Sequence, residues 1–524
     1  MDELHRHRSR SEHHGRGSVA GAGLVHQPKH EVGAGFGQDN VLIIIRHKIM
    51  KKSISHNVLI TLLAITFLSS CQRLFDEPDI QRNPNAVTDV DVATLLAGTL
   101  LGVGMLHEDT DVRIASIWAG QLAGLSRAHQ GFGQYIVSSQ SFSWSTLYPV
   151  AGQARLIQTK ADAVGDKWTK GVGQVLEALV IAKATALYGD VPYSQAFDEI
   201  KYPTPTFDKQ SDVYAALQTT LDNAIVNLSA PSGLAFTTQD FMYRGDVTRW
   251  KTAANTLKAR LYLHTGEYAK AAASAGLGIG SSAGDLLMPH GTSQGVDMNQ
   301  NHDFFRVSRA GDTGFDGAYL TTLLQSRSKS ANTKTDETAL YNHYIKVGIT
   351  ATGSQDPNTS DGAFTANAPH PILTYYENQL ILAEAQARLG VIDKALTALN
   401  AVRAGLSAGY LNGKTIPATG RKYDAYTPDD FGAAGLANPT KLATVQTALL
   451  YEIVSQRYLV FLMQYEAFND YRRLAKAVPV VQLPIPLYVG TKKPQRLIYP
   501  QGEVNTNPNV PKPLPDQFTN VPIF

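Results

Sequence analysis

The sequence predicts a mainly α-helical protein. From residue 92 onward, apolar side chains recur every three or four positions, for example along residues 174–188 and 212–228, and this spacing gives a helix one apolar face. Gly, Pro and Asn separate these segments and are typical of helix ends and turns. Alternating stretches long enough for a sizeable sheet are few. We therefore expect helices that each bury one face.

The N-terminal part contains an apolar run, residues 58–68, between the basic pair Lys51 and Lys52 and the only cysteine, Cys71. This run is too short to span a bilayer, and its basic flank is typical of a secretory signal. The Leu-Ser-Ser-Cys sequence that follows resembles the bacterial lipobox. The resemblance implies cleavage just before Cys71 and acylation of its thiol. The alternative is a buried strand that ends in a core cysteine.

Residues 1–49 precede this signal and carry seven of the fifteen histidines. We interpret them as an upstream extension foreign to the native protein, which then starts at Met50 with 50–70 as its signal peptide. Residues 71–91 form a polar tether with an acidic cluster. This cluster resembles the signal that directs Bacteroidetes lipoproteins to the outer face of the membrane. Simple solvation of the acidic side chains is the alternative.

Composition excludes several classes of partner. Of the 47 Lys and Arg and the 45 Asp and Glu, 9 and 5 lie in residues 1–70, so the mature chain is nearly neutral. This balance argues against nucleic acid. A cysteine committed to lipid leaves no thiol for a disulfide, a thiolate metal site or a nucleophile. No apolar stretch after the signal is expected to reach membrane-spanning length.

Two segments, 257–273 and 380–399, repeat one pattern. In each, a helix stops at a glycine, Gly266 or Gly390, and restarts into Lys-Ala four and five residues later. Glycine adopts the left-handed conformation that ends helices, so both segments predict antiparallel helix pairs. The pattern resembles the tetratricopeptide repeat, whose stacked pairs form a curved wall for interactions. Weaker candidates lie at 174–228 and 445–474.

Two stretches interrupt this helical pattern. Residues 276–365 are rich in Gly, Ser, Asn, Asp and Thr, and residues 405–439 are rich in Gly, Pro and Tyr. Both are weakly periodic, and loops of this length inside a domain are usually functional or mobile. We interpret them as insertions in a single domain that spans residues 92–524.

Residues 187–197, LYGDVPYSQAF, carry the most specific motif. Gly189 and Asp190 end a helix there, and Pro192 prevents its continuation. The string resembles a hallmark of the SusD/RagB family of Bacteroidetes nutrient-binding outer-membrane lipoproteins. Further stretches resemble that family's signatures in the same order: residues 246–261, 375–385, 466–473 and 494–507.

The resemblance implies a tetratricopeptide-like helical scaffold with long irregular loops. It also implies a function: a cell-surface lipoprotein that captures oligosaccharide or peptide and delivers it to a SusC-like TonB-dependent outer-membrane transporter. The implied location is the outer membrane, with a lipid anchor and the domain facing the exterior. A protein-docking scaffold without a small ligand is the alternative.

Sugar binding needs flat aromatic faces for the apolar side of the ring and Asn, Asp, Gln or Arg for the hydroxyls. Two stretches, 132–148 and 301–319, offer this mixture. For each aromatic residue, core packing is the competing interpretation. The ligand-binding candidates are Tyr135, Trp144, Tyr148, Phe304, Phe305, Arg306 and Tyr319.

An enzyme is the other class to consider, most plausibly a glycosidase with two carboxylates. Glu377 and Glu384 lie seven residues apart on one predicted helix and share a face, where glutamates are usually solvated or capping. Residues 297–303 place oxygens at every second position, as a calcium loop does, but His302 replaces the turn glycine and Ser308 the closing glutamate. We expect no enzyme, metal or cofactor.

Overall fold

The structure, a computed structural model, describes residues 90–328 and 331–524, which fold mainly into α-helices and confirm the predicted class. The interpretations of 1–49, 50–70, Cys71 and most of the tether lie outside the described residues. The helices are α1 (Val92–His107), α2 (Thr110–Trp118), α3 (Arg127–Gly133), α4 (Trp144–Ala163), α5 (Lys167–Tyr188), α6 (Gln210–Leu228), α7 (Val247–His264), α8 (Tyr268–Ala275), α9 (Gln300–His302), α10 (Tyr319–Arg327), α11 (Thr338–Tyr344), α12 (Tyr375–Arg388), α13 (Ile392–Ala408), α14 (Val445–Val460), α15 (Glu466–Ala477) and α16 (Gln501–Thr506).

The long helices pack against one another largely in chain order. α1 packs on α4, α4 on α5, α5 on α6, α6 on α7 and α7 on α8, and α8 then contacts α12, which packs against α13 and α14. A large apolar core runs through most of these contacts. A smaller cluster joins α7, α8 and α12. Most of its buried members are alanines, and their small side chains let the helices approach closely.

Both predicted helix pairs are present. α7 and α8 are separated by Gly266, whose φ is +74°, and α12 and α13 by Gly390, whose φ is +77°. L-residues with a side chain rarely adopt this conformation, so glycine allows the chain to turn directly from one helix into the next. The weaker candidates correspond to α5 with α6 and α14 with α15.

Helix α5 departs from the expectation of one buried face. Every residue from Gly171 to Tyr188 is buried, because α4 and α6 pack on two of its sides and α7 also contacts it. Among the described helices, α5 has the length and mean hydropathy of a membrane span, contrary to the expectation from the sequence. The most apolar stretch of α5, 18 residues long, is wholly buried inside the protein.

The C-terminal end of α5 is held by the C-terminal segment. The last carbonyls of a helix have no partner within the helix, and here Arg472 donates to Ala186 O at 2.8 Å while Leu497 N donates to Leu187 O at 2.9 Å. Arg496 donates to Tyr188 O. Stretches that resemble family signatures therefore meet at this helix end and stabilise it.

The insertions contain short elements. The strands are β1 (Ala123–Gly124), β2 (Leu286–Met288), β3 (Thr313–Gly314), β4 (Thr335–Asp336), β5 (Ile345–Val347), β6 (Gln355–Pro357), β7 (His370–Leu373), β8 (Tyr410–Leu411), β9 (Lys414–Thr415) and β10 (Lys422–Tyr423). Each sheet among the described residues has two antiparallel strands: β1 with β3, β2 with β7, β4 with β10, β5 with β6 and β8 with β9. A π-helix spans Asp303–Ser308, and 3-10 turns span Ser282–Gly284, Pro428–Phe431 and Pro479–Val481.

Candidate functional site

A cleft of about 850 Å³ lies between α1, the start of α2 and residues 288–308, which we call the cleft segment. Binding sites for small ligands usually have volumes of 300–1,000 Å³, mostly apolar walls and a few polar groups. The volume and lining of the cleft meet this description. The candidate site is therefore a cleft beside the helical stack.

The apolar wall of the cleft comes partly from α1. Leu101 and Met105, one helical turn apart, are 46% and 43% exposed and line the cleft together with Phe241, Met288 and Met298. Thioether side chains are flexible and polarisable, so they adapt to ligands of different shape. This wall can therefore contact the apolar parts of ligands that differ in shape.

Phe304 is the aromatic centre of the cleft. The Arg113 guanidinium lies over the Phe304 ring, 4.2 Å from its centroid, and the His129 ring packs edge-on at 4.9 Å. Burial and the charge of Arg113 lower the pKa of His129 to about 4, so its imidazole is neutral. His129 also packs on Phe132 at 5.2 Å. It thus connects the two aromatic stretches that the sequence singled out.

The cleft segment is attached to the helices through Glu108, which is fully buried. Its carboxylate accepts from His290 Nε2 at 2.7 Å and from Gln300 N at 3.1 Å. Although burial alone lowers the pKa of His290, the hydrogen bond and charge of Glu108 raise it above its usual value. The contact between His290 and Glu108 therefore holds the cleft segment against the turn between α1 and α2.

Polar side chains order the rest of the cleft segment. Asn299 caps α9 by accepting from Asn301 N at 2.9 Å and His302 N at 3.0 Å. Gln294 donates to Asp303 at 2.8 Å. Gln294 and Asp303 line the cleft, and their amide and carboxylate groups can bind hydroxyl groups.

A second group of charges lies beneath the cleft. Lys183 is fully buried and donates to Asp109 and to the Leu106 carbonyl. Asp111 is also buried and accepts from Ser143 N at 2.9 Å. Burial, with the charge of Asp109, raises the pKa of Asp111 to about 7. The acids near Arg113 therefore have protein partners of their own.

The structure separates the sequence-derived candidates of the 301–319 stretch. Phe304 lines the cleft, and Phe305 is buried beside it with its ring 5.0 Å from Phe364. Arg306 is exposed and does not line the cleft. Tyr319 packs against Tyr458 at 5.8 Å, away from the cleft lining.

The candidates of the 132–148 stretch lie outside the cleft. Trp144 is 6% exposed and packs on Tyr148 at 5.1 Å, Tyr188 at 5.0 Å and Tyr499 at 5.8 Å. These contacts are those of core packing, the competing interpretation, for Trp144, whereas Tyr148 is half-buried. Tyr135 is buried too, and its hydroxyl accepts from the backbone N of Tyr488 at 3.1 Å.

Several cleft residues were missed from the sequence. Leu101 and Met105 give no clear signal, because a helix with apolar residues on all sides, such as α1, can also be buried completely, as α5 is. Arg113, His129 and His290 give no local signal. Their roles depend on contacts with residues far away in the chain.

The two glutamates considered for catalysis are structural. Glu377 and Glu384 are fully buried rather than solvated. Arg260 donates to Glu377 at 2.5 and 2.7 Å, and Arg473 donates to Glu384 at 2.5 and 2.6 Å. Both carboxylates are therefore saturated by guanidinium groups and cannot reach a substrate.

The fold is thus a stack of helix pairs with a ligand-sized cleft beside it. The chain matches SusD-like_2, a family described as "Starch-binding associating with outer membrane", over residues 84–500. Since the match spans most of the sequence, the chain belongs to this SusD-like family.

Solved structures share the fold. A SusD/RagB family protein of Bacteroides thetaiotaomicron is 23% identical, with a TM-score of 0.61, and the alignment covers 80% of this chain and 95% of that one. A SusD homologue of Bacteroides fragilis is 19% identical, with a TM-score of 0.63, and the alignment covers 83% of this chain and 100% of that one. A chitin-binding SusD homologue of Flavobacterium johnsoniae is 17% identical, with a TM-score of 0.59, and the alignment covers 83% of this chain and 100% of that one. A comparison with curated proteins gave no match.

Proposed function

We propose that this chain is a lipid-anchored protein of the outer membrane that captures oligosaccharide or peptide at the cell surface and delivers it to a SusC-like TonB-dependent transporter. The cleft is its ligand site. In this proposal Cys71 carries the lipid, 50–70 is the signal peptide and 71–91 tethers the domain 92–524. Residues 1–49 remain outside the native protein.

The single observation that carries this proposal is the chemistry of the cleft. Leu101 and Met105 expose apolar surface that a compact protein normally buries, and exposed apolar patches of this kind mark binding sites. Gln300 and Asp303 add polar groups to the same lining. An apolar wall with a polar rim suits a sugar ring, which has a C–H face and hydroxyl edges.

The comparisons favour a glycan as the ligand. The family description names starch, and the Flavobacterium johnsoniae homologue is described as chitin-binding. Both polymers consist of pyranose rings with alternating apolar and hydroxyl surfaces. Starch and chitin oligosaccharides are therefore the first ligands to test, followed by peptides.

The cleft is tested with a matched pair of variants in residues 72–524. Met105→Lys places a charge in the apolar wall, whereas Leu156→Lys changes a residue of almost equal exposure, 44% against 43%, that does not line the cleft. Ligands selected on arrays are then measured by titration calorimetry. We expect Met105→Lys to weaken binding by about tenfold or more, and Leu156→Lys to leave it unchanged. Equal affinities of both variants would refute the cleft as the site.

The anchor is tested with Cys71→Ala. We expect unchanged ligand affinity of the folded domain and a reduced rate of ligand import by cells, because only the attachment to the membrane is lost. An equal loss of affinity would make the cysteine structural. Failure to bind any glycan or peptide on broad arrays, together with tight binding to another protein, would favour the docking scaffold instead.

A further inference from the structure

Arg113 is held at the cleft in a defined orientation. Its guanidinium stacks on Phe304 at 4.2 Å, while NH1 donates to Glu108 O at 2.9 Å and NH2 donates to Thr110 Oγ1 at 3.0 Å. A guanidinium has five N–H donors, and these two bonds leave three without an acceptor among the described residues. Its Nε is buried and has no partner there.

Some buried arginines of this fold are paired with carboxylates, whereas Arg472 and Arg496 donate to backbone carbonyls instead. Arg260 is paired with Glu377, and Arg473 with Glu384. Arg113 forms no ion pair with Asp or Glu in the described ranges 90–328 and 331–524. Asp109, Glu108 and Asp111 act on its charge only beyond ion-pair distance, so an anion in direct contact with the guanidinium would add a short-range partner for this largely buried charge.

The nearest acids do not satisfy Arg113. Glu108 is bound to His290, and Asp109 is bound to Lys183. Asp111 accepts from Ser143 N and from the Tyr188 hydroxyl. Each of these three carboxylates therefore has hydrogen-bond donors of its own. Because Nε is buried, the second N–H of NH1 and of NH2 are the groups that a ligand would have to reach.

We propose that Arg113 binds a carboxylate group carried by the ligand of the cleft. The planar fork of a guanidinium matches the two oxygens of a carboxylate, and the stack on Phe304 fixes its plane in advance. The rest of such a ligand lies against Leu101 and Met105. This inference rests on the proposed function, because it assumes that the ligand occupies the cleft.

A ligand carboxylate has two chemical sources, a uronic acid unit of an oligosaccharide and the C-terminus of a peptide. Each is probed with a matched pair on the mature lipoprotein purified in detergent: oligogalacturonate against its methyl ester, and peptides with free against amidated C-termini. For the correct source, we expect the acid to bind about tenfold more tightly, or better, than its neutral partner. Equal binding of acid and neutral forms in both pairs overturns the inference.

Variants assign this preference to the residue. Arg113→Gln is expected to abolish the preference for the acid, and Arg113→Lys, which keeps the charge but not the fork, to retain part of it. Arg309→Gln, an exposed arginine of a neighbouring loop, is the control and should preserve it. A full preference in Arg113→Gln overturns the inference. Binding of neutral glycans without any acid preference overturns the inference while sparing the proposed function. Failure to bind these probes and every ligand on the broad arrays overturns both.

Discussion

Glu384 provides a sharp test of how the helical stack is held together. Its carboxylate, fully buried on α12, accepts from Arg473 NH1 at 2.5 Å and NH2 at 2.6 Å. Arg388 and Arg457 lie at 3.5 and 3.7 Å. One negative charge thus faces three guanidinium groups, and Glu384→Gln removes this charge while keeping the size of the side chain.

The magnitude follows from the pKa of Glu384. Burial alone raises it, but the charge and hydrogen bonds of Arg473, with the charges of Arg457 and Arg388, lower it from 4.5 to about 2. Since one pKa unit corresponds to about 1.4 kcal/mol, the ion pair contributes about 3 kcal/mol to the free energy of unfolding. Removing one partner of a buried pair costs a similar ~3–5 kcal/mol.

Equilibrium unfolding in urea at pH 7 measures this loss. We expect Glu384→Gln to lower the free energy of unfolding by about 3 kcal/mol, and Glu267→Gln, in an exposed pair with Lys270, to leave it unchanged. Because the pKa is lowered in the folded state, the stabilisation is complete above pH 4.5 and is lost as the pH falls towards 2. A loss below about 1 kcal/mol, or one that persists undiminished at pH 2, would refute the reasoning.

Three further predictions concern the core and the cleft. Trp144→Ala should lower the free energy of unfolding by about 3–5 kcal/mol, measured in urea, and leave the ligand affinity of the folded protein unchanged. Gly405→Ala should cost about 1–3 kcal/mol in the same assay, because the new Cβ would lie 2.3 Å from the Tyr376 hydroxyl oxygen. The attraction between His290 and Glu108 is complete below pH 6.5 and lost as the pH rises through the raised pKa of His290, so hydrogen exchange of the cleft segment should increase there beyond its intrinsic pH dependence.

Local signals explain which parts of the fold could be predicted from the sequence. The turns at Gly266 and Gly390 depend on the backbone freedom of one residue, and that property is visible in the sequence itself. The one-face expectation failed for α5, because its second and third faces are covered by α4, α6 and α7. The spacing of apolar residues describes a single helix, and it does not show how many other helices pack on that helix.

Charged residues were harder to predict because their partners are remote. Glu377 meets Arg260 across 117 positions of the chain, and Glu384 meets Arg473 across 89. Without these partners, a glutamate on a helix favours solvent. The aromatic candidates behave similarly, because the rings that pack on Trp144 include Tyr188 and, from the C-terminal segment, Tyr499.

The family signatures and the cleft occupy different parts of the fold. Family membership therefore predicts the scaffold of this chain more directly than its ligand. Residues 187–197 and 494–507 hydrogen-bond to each other around the end of α5, so these motifs specify the scaffold. Leu101, Met105 and Arg113 belong to none of the signature stretches, and neither does the cleft segment. Substitutions in the cleft would therefore change the ligand while the fold persists. In the proposed function, the starch and chitin named for relatives therefore give the first ligands to test, and the side chains of the cleft decide which of them binds.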